Sequence, residues 1–254
     1  MQASELVMKY LMPYWLKILA RNFPGTRISI ANFTDIQNAT YCEFGGINFH
    51  FDKKFMDRKR FVALAAGAIE IDEITVAQKF LNDKDIIVEF GSGLGIAAAR
   101  VNAAIKPQKH YCFEANPAVI EYSQKLFNLN NMDIQIENYA LGDGSNLPFY
   151  ALDDYLLSSF QKPKNNPKYR KIDVPTIKCQ DVLEKFQPTA IFCDVEGAEL
   201  EYLNASNFGK TKTIIAELHP HIYGDKGVEN FYKNIEEHGF KAQMTKGNTH
   251  CFLR

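Results

Sequence analysis

Five carboxylates and two imidazoles cluster between residues 194 and 221. Asp194-Val195-Glu196-Gly197-Ala198-Glu199 follows an apolar run, Ala190-Ile191-Phe192-Cys193, and Glu217-Leu218-His219-Pro220-His221 follows a second, Thr213-Ile214-Ile215-Ala216. Apolar runs this short, rich in β-branched residues, read as buried strands. Acids at the end of a buried strand are costly unless they have a partner, so Asp194 and Glu196 point to chemistry. They suit a general base, a hold on an acceptor, or a divalent cation. His219 suits the base on its titration, because neutral imidazole is available near pH 7. Glu217, at the end of the second run, joins Asp194, Glu196 and His219 as a candidate catalytic group. Glu199 reads as a solvated residue in the first turn of a helix, and His221 as a surface residue. Two acids are too few for a near-octahedral Mg²⁺ site, so no metal is expected. Glu196 and His219 would also touch the acceptor.

A second constellation lies upstream. Ile86-Ile87-Val88-Glu89-Phe90 is an apolar run ending beside an acid, and Gly91, Ser92, Gly93, Leu94 and Gly95 follow. Ile96-Ala97-Ala98-Ala99-Arg100 then starts a helix. A strand, a glycine turn and a helix N-terminus present bare backbone and unpaired N–H groups to a ligand. Dinucleotide enzymes use G-x-G-x-x-G, with a pyrophosphate at the helix end. Here the third glycine comes one position early, and Glu89 would repel a pyrophosphate while attracting an ammonium. S-adenosylmethionine has an ammonium and no phosphate, so it is the expected cofactor. A second acid is needed about 20 residues on, at the end of the next strand, for the ribose hydroxyls. Glu114, after His110-Tyr111-Cys112-Phe113, supplies it. Glu89, Phe90, Gly91, Ser92, Gly93, Gly95, Glu114, Ala115, Ala140 and Asp194 form the expected cofactor set.

The elements that must hold these groups alternate. Strands are expected at 86–90, 110–113, 134–137, 190–193 and 213–218, with a final hairpin from Phe240–Met244 and Thr249–Leu253. Pro117 fits the first turn of a helix that runs to about Leu129. Asp181 suits the cap of a short helix over 182–186, and Gly239 the end of one over 228–238. Such alternation implies a mostly parallel sheet covered on both faces. Asn138 to Asp143 forms a turn suited to flank an adenine, with Asp143 equally suited to shaping the turn alone. A β-rich excursion, Leu147–Tyr150 and Asp173–Ile177, interrupts the pattern.

Residues 1–70 differ from the rest. A fairly apolar helix over residues 1–21 precedes two alternating runs, Thr40–Phe44 and Ile47–Phe51, around Gly45-Gly46, a hairpin signal. Glu5, Lys9, Pro13 and Lys17 break the first stretch, so it is too interrupted to span a membrane and lacks the layout of a secretory leader. It reads as an amphipathic helix packed on the body or on a second subunit, which makes this region the expected contact of a homodimer. A place on a membrane surface is the alternative. The expected domains are therefore 1–70, an accessory region, and 71–254, the cofactor-binding domain.

The chain has 254 residues, a net charge of −1 and five cysteines. That length supports a sizeable core. The near-neutral balance argues against nucleic acid as partner. Unpaired, scattered cysteines suggest reduced thiols in a cytosol, packed as small core residues.

The motifs V-E-F-G-S-G-L-G (88–95), F-E-A-N-P (113–117), A-L-G-D (140–143), S-S (158–159), D-V-E-G-A-E (194–199) and A-E-L-H (216–219) occur in one order. In this respect the chain resembles the FkbM family of S-adenosylmethionine-dependent methyltransferases over roughly residues 70–220. The first motif departs from the D-V-G-A-N-x-G of many members, and the first 70 residues show no match. The resemblance implies an α/β, Rossmann-like methyltransferase sandwich: a mostly parallel seven-stranded sheet with helices on both faces, extended by the N-terminal helix and hairpin. It also implies O-methylation of a hydroxyl on a sugar, glycan or related small metabolite, with Ser158 and Ser159 at the acceptor. After those serines, Lys162, Lys164, Lys168, Arg170 and Lys171 make a basic stretch. It reads either as a solvated loop or as a lid whose cations meet an anionic group on the acceptor. Three rivals remain at this point: a nicotinamide-dependent oxidoreductase on a similar sheet, a non-catalytic cofactor-binding module, and an RNA methyltransferase, which the near-neutral charge disfavours.

Overall fold

The computed structural model describes residues 39–152 and 169–254. The expected helix over residues 1–21, Ser158, Ser159 and the lysines at 162, 164 and 168 lie outside the described residues. The chain divides into two compact units, with the boundary between Ile71 and Asp72.

In the first unit, β1 (Tyr41–Phe44) pairs antiparallel with β2 (Ile47–His50), Phe44 facing Ile47. The two linking residues, Gly45 and Gly46, have φ of +62° and +79°. Positive φ at both positions is what a tight two-residue hairpin of this twist requires. α1 (Arg58–Ala65) starts where the Asp57 side chain accepts from the Arg60 N–H at 2.8 Å, a side-chain cap on an otherwise orphan donor. Phe61 of that helix meets Phe51 edge-on at 5.3 Å.

The second unit is built on one sheet. Its remaining strands are β3 (Ile86–Phe90), β4 (Lys109–Phe113), β5 (Ile134–Glu137), β6 (Ala140–Leu141), β7 (Asn146–Leu152), β8 (Tyr169–Ile177), β9 (Ala190–Cys193), β10 (Thr213–Glu217), β11 (Lys241–Lys246) and β12 (Thr249–Leu253). The helices are α2 (Ile71–Phe80, opening at the unit boundary), α3 (Ile96–Ile105), α4 (Pro117–Leu129), α5 (Cys179–Phe186), α6 (Glu199–Tyr202) and α7 (Pro220–Glu237). The seven-stranded sheet has the order β11-β12-β10-β9-β3-β4-β5. β5, β4, β3, β9 and β10 are mutually parallel, and β12 runs against both of its neighbours.

The centre of the sheet is covered on both faces, which is why β3, β9 and β10 read as largely apolar runs. Ala190 and Phe192 of β9 pack with Ile74, Val76 and Ala77 of α2 and Val101 of α3. Ile191 and Cys193, pointing the other way, pack with Val182 and Leu183 of α5 and Phe231 and Ile235 of α7. The five described cysteines are free, and all but Cys42 are buried. The β-rich excursion is a separate three-stranded sheet, β6-β8-β7.

Three local expectations change. Asp181 lies within the first turn of α5, while Lys178 is the cap residue and makes no side-chain cap bond. The acid complements the helix dipole from inside instead of capping it. The last helix begins at Pro220, eight residues before Val228, and bends at Gly224, whose φ of +70° is non-helical. Arg170 and Lys171 belong to β8 instead of a loop.

No helix among the described residues is long and apolar enough to cross a membrane.

Candidate functional site

Open α/β sheets bind ligands beyond the carboxyl ends of their strands, where the strand order reverses. Here the chain runs outward from β3 to β4 and β5, then crosses back to β9 on the other side of β3. The reversal therefore lies between β3 and β9. Glu89 to Gly95 end β3, and Asp194 to Gly197 end β9.

These two segments are fitted to each other. The Asp194 N–H donates to the Phe90 carbonyl at 2.9 Å, and the Gly91 N–H to the Phe113 carbonyl at 2.8 Å. Gly91 has φ +80°, and a Cβ there would stand 1.6 Å from the Asp194 carbonyl oxygen. Glycine at 91 is thus required by the neighbouring loop, whatever the ligand. Phe90 is fully buried and stacks on Phe113 at 5.5 Å, so its side chain serves the core. Gly95 caps α3 in a left-handed conformation with no side-chain cap bond. The first-turn N–H groups of α3 thus have no side-chain cap competing with a ligand for them.

Glu114 clasps this loop. Its Oε2 accepts from the Gly93 N–H at 2.8 Å and its Oε1 from the Asn116 N–H at 2.7 Å. Burial pushes its pKa up, against the pull of those backbone donors. Asn138 donates through Nδ2 to the carbonyls of Glu114 at 2.8 Å and Ala115 at 3.1 Å, tying β5 to the end of β4. Ala140 is buried in β6, paired with Thr176. Asp143 is exposed and accepts from the hydroxyl and N–H of Ser145, which lowers its pKa; it shapes the turn. Ser92, within the loop, is buried. Glu89 is 2 % exposed, and its Oε2 lies 2.9 Å from Nε2 of the buried His110.

The second half of the site gathers at the ends of β9 and β10. His219 is buried. Its Nδ1 lies 2.9 Å from Oε1 of Glu199, and its Nε2 lies 3.4 Å from Glu196 Oε2 and 3.7 Å from Asp194 Oδ1. An ionised carboxylate only accepts, so the Glu199 bond puts the proton on Nδ1 and leaves the Nε2 lone pair facing the other two acids. Burial alone would lower the His219 pKa, but the hydrogen bond and charge of Glu199, with Glu196 and Glu217 behind them, raise it. Burial raises Glu196. Burial, then the charge of Glu73, raises Glu217. The backbone is strained here: Glu196, a non-glycine residue, has φ +51°. Such positions concentrate at functional sites.

Glu199 is where the sequence reading fails. It is fully buried, and its Oε1 also accepts from the Gly197 N–H at 3.1 Å and the Val195 N–H at 3.4 Å. The signal was available: Leu203, four residues on and apolar, shares its helical face and is fully buried, so the helical period turned Glu199 inward. His221 is exposed, as expected. Tyr223, also unexpected, accepts from the His219 backbone N–H through its hydroxyl, pinning the strand end to the bend of α7. Asp194, Glu217 and His219 each place one potential ligand atom within 4.8 Å of the others, close enough to share a cation.

The family profile described as the methyltransferase FkbM domain matches residues 90–242, well over half of the chain. The chain belongs to the FkbM methyltransferase family. It is an S-adenosylmethionine-dependent methyltransferase, and the oxidoreductase and non-catalytic readings fall away. No curated protein sequence matches it. Among solved structures, M. jannaschii TYW2 in complex with AdoMet is similar at 13 % identity and a TM-score of 0.48, covering 84 % of this chain and 82 % of that one. A methyltransferase from Pyrococcus furiosus is similar at 10 % identity and 0.47, covering 94 % and 95 %. The precorrin-6y C5,15-methyltransferase from Geobacter metallireducens is similar at 13 % identity and 0.42, covering 81 % and 92 %.

The FkbM residues fit this cofactor: a glycine loop with an uncapped helix start, a buried acid at the end of each of the first two sheet strands, and no basic side chain in the loop to favour a pyrophosphate.

Proposed function

We propose that the protein transfers the methyl group to a hydroxyl of a sugar, glycan or related small metabolite, with His219 as general base. The observation that carries this reading is the Glu199–His219–Glu196/Asp194 constellation. It holds a buried imidazole in one tautomer, its Nε2 open to the carboxyl ends of β9 and β10. S-adenosylmethionine supplies an electrophilic methyl carbon on a sulfonium. The acceptor O–H gives its proton to His219 Nε2 while its oxygen forms the new C–O bond, and the S–CH₃ bond breaks. Asp194 and Glu196 accept hydrogen bonds from neighbouring acceptor hydroxyls, and Glu217 adds negative charge that favours the imidazolium formed. Glu89 would face the cofactor's ammonium and Glu114 its ribose, with Gly93 and Gly95 forming its backbone cradle.

Alignment should dominate the rate, since near-attack positioning contributes about 7–11 kcal/mol. A general base adds about 10²–10⁴-fold. Acids at the acceptor end disfavour phosphate-rich acceptors, so nucleic acid is not the proposed partner. The test is release of S-adenosylhomocysteine with a panel of glycosides and other small alcohols, beside matched thiols, amines and RNA. Turnover with alcohols supports the reading; turnover only with RNA or amines overturns it.

A further inference from the structure

The face of β3 and β4 beneath the glycine loop carries a buried polar cluster of which the proposed function uses Glu89 alone. Glu89, His110 and Cys112 each bring one polar atom within 4.8 Å of the others, and all three are buried. They share a face because β3 and β4 are parallel, with Ile87 opposite His110 and Glu89 opposite Cys112. Burial, and then the Glu89 charge, pushes the Cys112 thiol far up. What remains is a pair with side-chain exposures of 0 % for His110 and 2 % for Glu89, joined at 2.9 Å.

We infer that His110 is a positioning residue for cofactor binding: it holds the Glu89 carboxylate in the orientation that meets the cofactor's ammonium. The inference rests on the reading of Glu89 given above. The second ring nitrogen decides the tautomer. Among the described residues, His110 Nδ1 is buried without a hydrogen-bond partner. A proton there would be an orphaned buried donor, which folded proteins almost never keep, whereas a bare acceptor is tolerated more often. The single ring proton therefore sits on Nε2 and is donated to Glu89 Oε2. An imidazolium would carry two donors for one acceptor. The neutral ring thus orients the carboxylate without cancelling its charge, and that charge is what an ammonium needs. A lysine or arginine partner would hold Glu89 equally well and neutralise it.

The alternative is that the pair only joins two strands. Two nucleosides separate these readings: S-adenosylhomocysteine carries the amino-acid tail, and 5′-methylthioadenosine lacks it. Calorimetry on the full chain measures both. Glu89→Gln should raise the Kd for S-adenosylhomocysteine about tenfold or more and leave that for methylthioadenosine unchanged. His110→Phe, which keeps the ring volume and loses both nitrogens, should show the same selective loss. His110→Gln, whose amide N–H can reach the Nε2 position, should restore most of it. In the Glu89→Gln background, His110→Phe should add nothing further, because the two act on one contact.

The inference is overturned if His110→Phe leaves S-adenosylhomocysteine binding intact or weakens both nucleosides equally. If Glu89→Gln is itself silent, the ammonium role of Glu89 falls first and takes the inference with it. Should His110→Phe not fold, ¹⁵N shifts of the His110 ring in the parent protein decide: a protonated Nε2 and bare Nδ1 support it, and the reverse tautomer or an imidazolium sinks it.

Discussion

Glu199 and His219 are 20 positions apart in sequence and 2.9 Å apart in space, both buried, with Glu199 Oε1 set against His219 Nδ1. The carboxylate fixes which nitrogen holds the proton, and so which nitrogen is left to work. Of the three carboxylates set against the His219 ring nitrogens at this end of the sheet, Glu199 is the one with full hydrogen-bond geometry, since Asp194 and Glu196 stand farther from Nε2 at 3.7 and 3.4 Å.

Glu199→Gln should therefore act on the pH profile as well as the rate. The base must be neutral, and its pKa is raised, so the acid limb of kcat in the parent should lie above the usual imidazole value of about 6.5. Removing the Glu199 charge lowers that pKa, and the limb should move to lower pH. A glutamine N–H facing Nδ1 also favours the wrong tautomer, so the plateau should fall within the range of about 10²–10⁴-fold that a base supplies. A profile that keeps its limb and plateau would remove Glu199 from this role.

Gly93→Val should abolish S-adenosylhomocysteine binding. Gly93 has φ +52°, a conformation in which a β-branched residue is a genuine outlier, and its N–H holds Glu114 at 2.8 Å. Calorimetry with the folded variant checks this; retained affinity would separate the loop from the cofactor.

Glu217→Gln should stabilise the protein at high pH while impairing turnover. The folded-state pKa of Glu217 is raised, by burial first and by Glu73 second. The native state then holds this proton more tightly than the unfolded chain, so ionising it costs stability. The cost is absent below the ordinary carboxylate value, grows as pH rises toward the folded value, and is complete above it. The gap in Tm between variant and parent should open as pH rises above the ordinary carboxylate value of 4.5 and level off above the raised folded value. A gap independent of pH would place Glu217 in solvent-like surroundings.

With His219 as the base, its Nε2 is not a metal ligand, and extensive chelation should leave kcat unchanged. The cluster of Asp194, Glu217 and His219 has the span to share a cation. Loss of activity in chelator, with recovery on adding Mg²⁺ or Mn²⁺, would assign these residues to a metal and move the base elsewhere.

Much of the frame could be read in advance because the sheet is covered on both sides. Runs such as Ile86–Phe90 and Ala190–Cys193 have one meaning in an alternating pattern, and the five parallel strands fall within one residue of their expected bounds, while β7, β8 and β11 run two to four residues beyond theirs. Pro117 marked the start of α4, with Asn116 accepting from the Ala118 N–H as its cap. The carboxylates at strand ends were legible for the same reason: their neighbours are apolar. What stayed hidden depends on side-chain direction across elements. Glu199 looked solvated because its partner lies on another strand end. His110 looked like an ordinary strand residue because its partner, Glu89, lies diagonally across β3 and β4. Pro220 as a helix start was masked by Gly224, whose positive φ bends α7 and makes the sequence look broken there.

The fit of Gly91 around the Asp194 carbonyl means that the nucleoside cradle and the acidic turn were shaped as one interlocking piece. A chimera that grafts the glycine segment of a relative with a bulkier first residue would collide with the host's own main chain before meeting any small molecule. Exchanging cofactor loops within such enzymes therefore calls for transplanting both segments together.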